Sequence, residues 1–195
     1  MNLLPHQLRP CLARRVCLVG LGNPRLGDDA VGVRIAEALT RERLNSSLPL
    51  NEDSASKPCD PRTRPAAGEP AFPVILHPAG DPDEVIPRIV EGRFDHVVFI
   101  EALDFGGRPG SVTVLQTEEI RSRFSRPGCL WIPLGPLVER IESNGHTKAW
   151  VLGVQPASLR PDRPLSRSVQ GTFQKLVELL AREIGIPGAA SPSPA

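Results

Sequence analysis

The sequence predicts an α/β fold in which a mostly parallel sheet is covered by helices on both faces. Three observations predict it. The runs Val16-Cys17-Leu18-Val19-Gly20, His96-Val97-Val98-Phe99-Ile100 and Ala149-Trp150-Val151-Leu152-Gly153-Val154 are almost uninterruptedly apolar, the pattern of strands buried on both faces in a parallel sheet. Segments with helical spacing stand between them. Strands alternating with helices build parallel sheets, whose sites gather beyond the C-terminal ends of the strands.

Taken in order, residues 1–15 read as a loose, flexible extension, and the folded domain spans 16–186. Val16 opens the first central strand. The loop Asn23-Pro24-Arg25-Leu26-Gly27 follows, and Asp28 or Asp29 can then cap a helix carrying Val31, Ile35, Ala38 and Leu39, which fades near Leu44. Residues 45–72 are crowded with Ser, Pro, Ala, Asp and Arg and have no apolar period, so they read as a flexible insertion. Pro73-Val74-Ile75-Leu76 forms a short strand ending in His77, and a helix then holds Val85, Ile86, Ile89 and Val90, with Pro82 suited to its first turn. The second buried strand delivers Glu101 to its C-terminal end. A tight connection from Asp104 to Gly110 enters Ser111-Val112-Thr113-Val114-Leu115, whose alternation suits an edge strand. Glu118 and Glu119 begin a short helix, another runs through Leu137, Val138 and Ile141, and the strand 149–154 follows. Residues 168–184 form the clearest helix, with Val169, Phe173, Leu176, Val177, Leu180 and Ile184 on one stripe. Pro187 ends it, and 187–195 read as a flexible tail.

Composition narrows the function classes. The chain of 195 residues suits one domain. Lys plus Arg number 23 against 22 Asp plus Glu, so overall charge gives no argument for nucleic acid or a membrane surface as partner. Cys11, Cys17, Cys59 and Cys129 form no C-x-x-C pair, which argues against a zinc ribbon, a thioredoxin-like motif or a secreted disulfide framework and for reduced thiols in a cytoplasmic protein. The apolar run after Arg14 and Arg15 stops at Asn23 and Pro24, too early for a signal peptide or a membrane span.

No H-E-x-x-H, G-x-S-x-G or Walker loop is present. Gly20-Leu21-Gly22-Asn23-Pro24-Arg25 begins like a dinucleotide fingerprint, but Arg25 occupies the place of the third glycine. The informative pattern is Gly20-x-Gly22-Asn23-x4-Asp28-Asp29-x2-Gly32. Its glycines permit a tight turn, Asn23 can hydrogen-bond the loop, and two adjacent acids stand at a helix start. One acid suffices for capping, so the second suggests cation binding. Glu101 is the other anomaly, an ionisable group after five residues of buried strand, where a charge is costly without a partner. Asp29 and Glu101 together would supply two hard oxygen ligands at one sheet edge, for a divalent ion or for general acid/base work.

The segments GLGNPRLGDDAVGVRIAEAL, DHVVFIEALDFGGRPGSVTVLQTEEI and WVLGVQP, in this order and with a final amphipathic helix, resemble the hydrogenase maturation proteases. These endopeptidases finish the large subunit of nickel-iron hydrogenases. The resemblance implies a three-layer α/β fold, removal of a short C-terminal peptide from the large-subunit precursor, and a nickel ion that arrives with the substrate rather than residing in the enzyme. It places the metal-recognising and catalytic carboxylates on Asp29 and on Glu101, where the family usually has aspartate. Gly20, Gly22, Asn23, Asp28 and Asp104 fall on supporting positions of the loops.

The family's third ligand, a histidine near residues 128–132, is absent, since the chain reads Gly128-Cys129-Leu130-Trp131-Ile132. Cys129 and His77 are the candidate replacements. A non-cutting binding protein or chaperone of the same fold is the alternative, because losing a ligand can turn an enzyme into a binder. The Gly20–Pro24 turn also resembles that of peptidyl-tRNA hydrolases, but their histidine soon after the loop has no counterpart here. The expected partner is a hydrogenase large-subunit precursor, bound by a monomer, with no nucleic acid or membrane involved.

Overall fold

In the computed structural model, residues 3–47, 73–78, 82–124, 134–143 and 145–186 are described. The strands are β1 (Val16–Gly20), β2 (Val74–Leu76), β3 (His96–Ala102), β4 (Val112–Gln116) and β5 (Lys148–Val154). They form one sheet in the order β2-β1-β3-β5-β4. All neighbours are parallel except β4, which pairs antiparallel with β5 as the edge strand its alternation predicts.

Successive residues of a strand face opposite ways, and this splits the core in two. Val16, Leu18, Val98, Ile100, Trp150, Leu152 and Val154 face one cluster, which α1 (Leu4–Leu8), α2 (Val31–Ser47) and α6 (Arg167–Glu183) cover. Cys17, Val19, Val97, Phe99, Ala149 and Val151 face the other, covered by α3 (Ile86–Gly92), α4 (Thr117–Phe124) and α5 (Leu134–Glu142). The result is the three-layer arrangement expected.

The N-terminal segment differs from expectation. Residues 4–8 form α1 rather than part of a loose extension, and Leu4, Leu8 and Cys11 are buried in the first cluster. Burying a leucine contributes roughly 1.5 to 3 kcal/mol, which suffices to hold a short helix against the domain. Its five residues are too few to display a period. Helix α2 also runs past Leu44 to Ser47, with Leu44 exposed. Of the expected insertion, residues 48–72 lie outside the described residues, as do 187–195 and Cys129.

The order of the strands creates the site's position. From β1 the chain crosses through α2 to β2 on one side, whereas β3 lies on the other side of β1. A crevice at such a reversal, beyond the C-terminal ends of the strands, is where α/β sheets bind ligands. Gly32 lets α2 start hard against this edge, because a Cβ there would collide with the carbonyl oxygens of Leu21 and Ile100.

Candidate active site

The loop after β1 sets Asp29. The Leu21 N–H donates to Ile100 O at 2.8 Å, prolonging the β1–β3 pairing by one residue. Gly22 then turns with φ +120°, and a Cβ on it would strike the Asp29 backbone, so glycine is required at this close approach. The Asn23 side chain accepts the Arg25 N–H at 2.9 Å, holding the loop as its sequence suggests. The Asn23 backbone N–H donates to Asp29 Oδ2 at 2.7 Å. Gly20 allows the helix to pack, since a Cβ there would meet Gly32 and Ala36.

Asp28 and Asp29 do not cap α2 with their side chains. They lie in a 3-10 turn over Gly27–Ala30, and both are buried. Their roles separate. Asp28 Oδ2 accepts the N–H groups of Ala157 and Ser158 at 2.8 and 2.9 Å, and Oδ1 accepts that of Ser166 at 2.6 Å. Asp28 thus clamps the loop between β5 and α6 onto the loop after β1. Asp29 keeps one bond to its own loop, and burial raises its carboxyl above the usual range, against the lowering effect of the Asn23 N–H.

Glu101 stands on β3 beside Gly153 of β5, on the face of Val97 and Phe99. It is 5% exposed, and its Oε1 is buried without a hydrogen-bond partner. Burial, followed by the negative charge of Asp29, pushes its carboxyl up to about 8. An orphaned buried carboxylate oxygen is destabilising. Two like carboxylates at one edge resist holding two negative charges together unless a proton or a cation joins them.

Asp104 lies just beyond β3, where its side chain accepts the Gly106 N–H at 3.2 Å and the Gln155 amide at 3.0 Å. Those bonds, Gln155 first, hold its carboxyl below the usual range. Gln155 is a support residue that sequence reasoning missed. It is 6% exposed, and its Oε1 accepts the N–H groups of both Phe105 and Gly107 at 3.0 Å. Its signal was present in WVLGVQP, a buried strand ending in a polar residue.

The structure brings Asp29 and Glu101 together and leaves His77 apart. His77 follows β2, which is separated from β3 by β1, and it is exposed. Among the described residues no three His, Cys, Asp or Glu side chains converge to hold a metal ion. Cys11 and Cys17 are free thiols, but burial pushes each up to about 12, leaving them unsuited to metal binding. His96 accepts the Trp150 indole N–H at 3.1 Å at the opposite end of the sheet. Among the described residues no helix is long and apolar enough to cross a membrane.

The HycI family of hydrogenase maturation proteases matches residues 78–183, just over half of the chain and including Glu101 and Asp104. No curated protein matches the sequence. Among solved structures, the hydrogenase maturation protease HycI from Thermococcus kodakarensis KOD1 is similar, with TM-score 0.68 and 22% identity over 91% of this chain and 98% of its own. The endopeptidase HycI from Escherichia coli aligns with TM-score 0.63 and 19% identity over 91% and 97%. The hydrogenase maturating endopeptidase HybD from E. coli aligns with TM-score 0.60 and 23% identity over 90% and 94%. At these identities the structural likeness is one of fold.

Proposed function

Because the chain belongs to the hydrogenase maturation protease family, as the match over residues 78–183 shows, we propose that it removes the C-terminal peptide from the nickel-loaded large-subunit precursor of a nickel-iron hydrogenase. The observation that carries this reading is Glu101 Oε1, buried without a partner beside Asp29 at the C-terminal edge of β1 and β3. A carboxylate pair left short of partners is suited to a cation delivered by a substrate, and the hard oxygen donors match a divalent ion.

In this reading Asp29 and Glu101 hold nickel that the precursor carries, and that contact sets the scissile peptide in place. Positioning converts the reaction into one within a complex. The metal supplies Lewis-acid polarisation of the carbonyl or of the attacking water. Glu101 must shed its proton to bind, so proton release accompanies recognition. Cys129, in the segment where the family's histidine is missing, supplies the third donor, since a thiolate is a competent nickel ligand. The protein works in the cytoplasm, where hydrogenase large subunits are completed in this reading.

The test is the intact mass of a purified precursor, with and without nickel, before and after incubation with the protein. Loss of a C-terminal peptide only with nickel is expected. Stable binding without cutting would instead favour the non-cutting chaperone, a reading that the missing histidine supports.

A further inference from the structure

Three loops leave the C-terminal ends of β1, β3 and β5, the end of the sheet that holds the carboxylate pair, and each presents arginine. Arg25 is on the loop after β1 and Arg108 on the loop between β3 and β4. Arg160 and Arg163 follow β5, with Arg167 the first residue of α6, and all five are exposed. The opposing exposed acids on these loops are Asp104 and Asp162. The loops are fixed to one another. Besides the Asp28 clamp, the Asp162 N–H donates to Arg25 O at 2.8 Å, the Gly110 N–H to Gln155 O at 2.8 Å, and the Thr172 hydroxyl to Gly110 O at 2.6 Å.

These arginines are not explained by stability. The Arg25–Asp162 pair is 3.5 Å apart and its side chains are 80% and 71% exposed, so it contributes little. Among the described residues Arg108, Arg160, Arg163 and Arg167 form no ion pair. Arg167 stands at the start of α6, whose first turn holds no acid, so it opposes the positive end of the helix dipole. The chain as a whole is balanced, with 23 basic against 22 acidic residues, and the local excess is one of the exposed surface, because Asp28, Asp29 and Glu101 are buried. These loops contain no lysine, and the guanidinium fork is the group that matches a carboxylate in two parallel hydrogen bonds.

We propose that this arginine rim, made by Arg108, Arg160, Arg163 and Arg167, captures an acidic segment of the polypeptide that is cut. The inference rests on the protease reading and adds a substrate class to it. Aspartate and glutamate side chains of that segment bind the rim while the buried carboxylates face the scissile region. A nucleic acid is disfavoured, since its affinity comes from many phosphate contacts along an extended basic track, which a near-neutral chain with one small basic rim does not offer.

The experiment measures binding of three fluorescent probes to the full chain: a glutamate-rich peptide, a neutral peptide of equal length, and a single-stranded oligonucleotide of matched charge. R160E/R163E is compared with R88E/K175E, which makes the same charge change on exposed positions of α3 and α6 away from the loops. The rim predicts that R160E/R163E weakens the acidic peptide by about tenfold or more and R88E/K175E by less than about twofold, the pattern of local rather than net charge. Raising salt from about 50 to about 300 mM should weaken wild type and barely affect R160E/R163E. The milder R160Q/R163Q should fall between the two, and circular dichroism melts check that every variant folds. Equal losses in both charge-reversed proteins, absent binding of the acidic peptide, or tighter binding of the oligonucleotide would overturn the proposal. Because binding is read without cutting, acidic-peptide capture by a protein that leaves the precursor intact would sink the protease reading alone. Precursor processing with unchanged KM in R160E/R163E would sink the rim alone.

Discussion

Asp28 and Glu101 are carboxylates buried at the same edge of the same sheet, 1% and 5% exposed, and they differ in what surrounds them. Asp28 receives three backbone N–H groups from the β5–α6 loop. Glu101 has an oxygen with no partner and Asp29 as an electrostatic neighbour. Burial alone therefore does not separate a structural acid from a functional one. In the proposed function the completeness of hydrogen bonding is what separates them, because a fold tolerates an unsatisfied buried polar group only where something else requires it.

The contrast predicts opposite signs on mutation. Asp28→Ala should have the largest effect on stability, a loss of about 3 to 5 kcal/mol, since it leaves three donors short of their acceptor and unlatches two loops. Urea unfolding measures it, and a loss below about 1 kcal/mol would break the distinction.

Glu101→Gln should stabilise. Burial raises the carboxyl from its ordinary 4.5 to about 8, so the folded state keeps a proton that the unfolded chain has released. Stability from this group is full below about pH 4.5 and is lost as the pH rises towards 8, and Asp29, also raised, acts in the same direction. An uncharged carboxamide removes the loss, giving a gain of up to about 4 kcal/mol near pH 8 and little near pH 4.5. Paired unfolding curves at the two pH values test the sign. The smallest effect is expected of Gln155→Ala, a loss of about 1 to 2 kcal/mol, because the loop it holds is partly solvated. Faster hydrogen exchange at Phe105 and Gly107 would locate that loss on the loop.

The sheet was legible because its central strands are doubly buried, so their apolar runs are insensitive to register. Strands β1, β3 and β5, the edge strand β4 and helix α6 lie where periodicity places them. Helix α1 was not legible, since its leucines acquire meaning only once α2 and α6 offer a surface. At the site, Glu101 stood out as a charge ending an apolar run, and Asp29 as the second of two acids. What Asp28 holds was not legible, because its donors lie 129 to 138 residues away. His77 was a candidate third ligand as a polar strand end, but the strand order puts β2 on the far side of β1 from Glu101.

The most direct test of the central claim is the rate at which Glu101→Gln processes a nickel-loaded precursor, followed by intact mass beside wild type. Removing one charged group that contacts the reacting centre typically costs a hundredfold or more, so the account predicts that the variant cuts at least about a hundredfold more slowly while unfolding no more easily than wild type. Processing at the wild-type rate by a folded Glu101→Gln protein would contradict it.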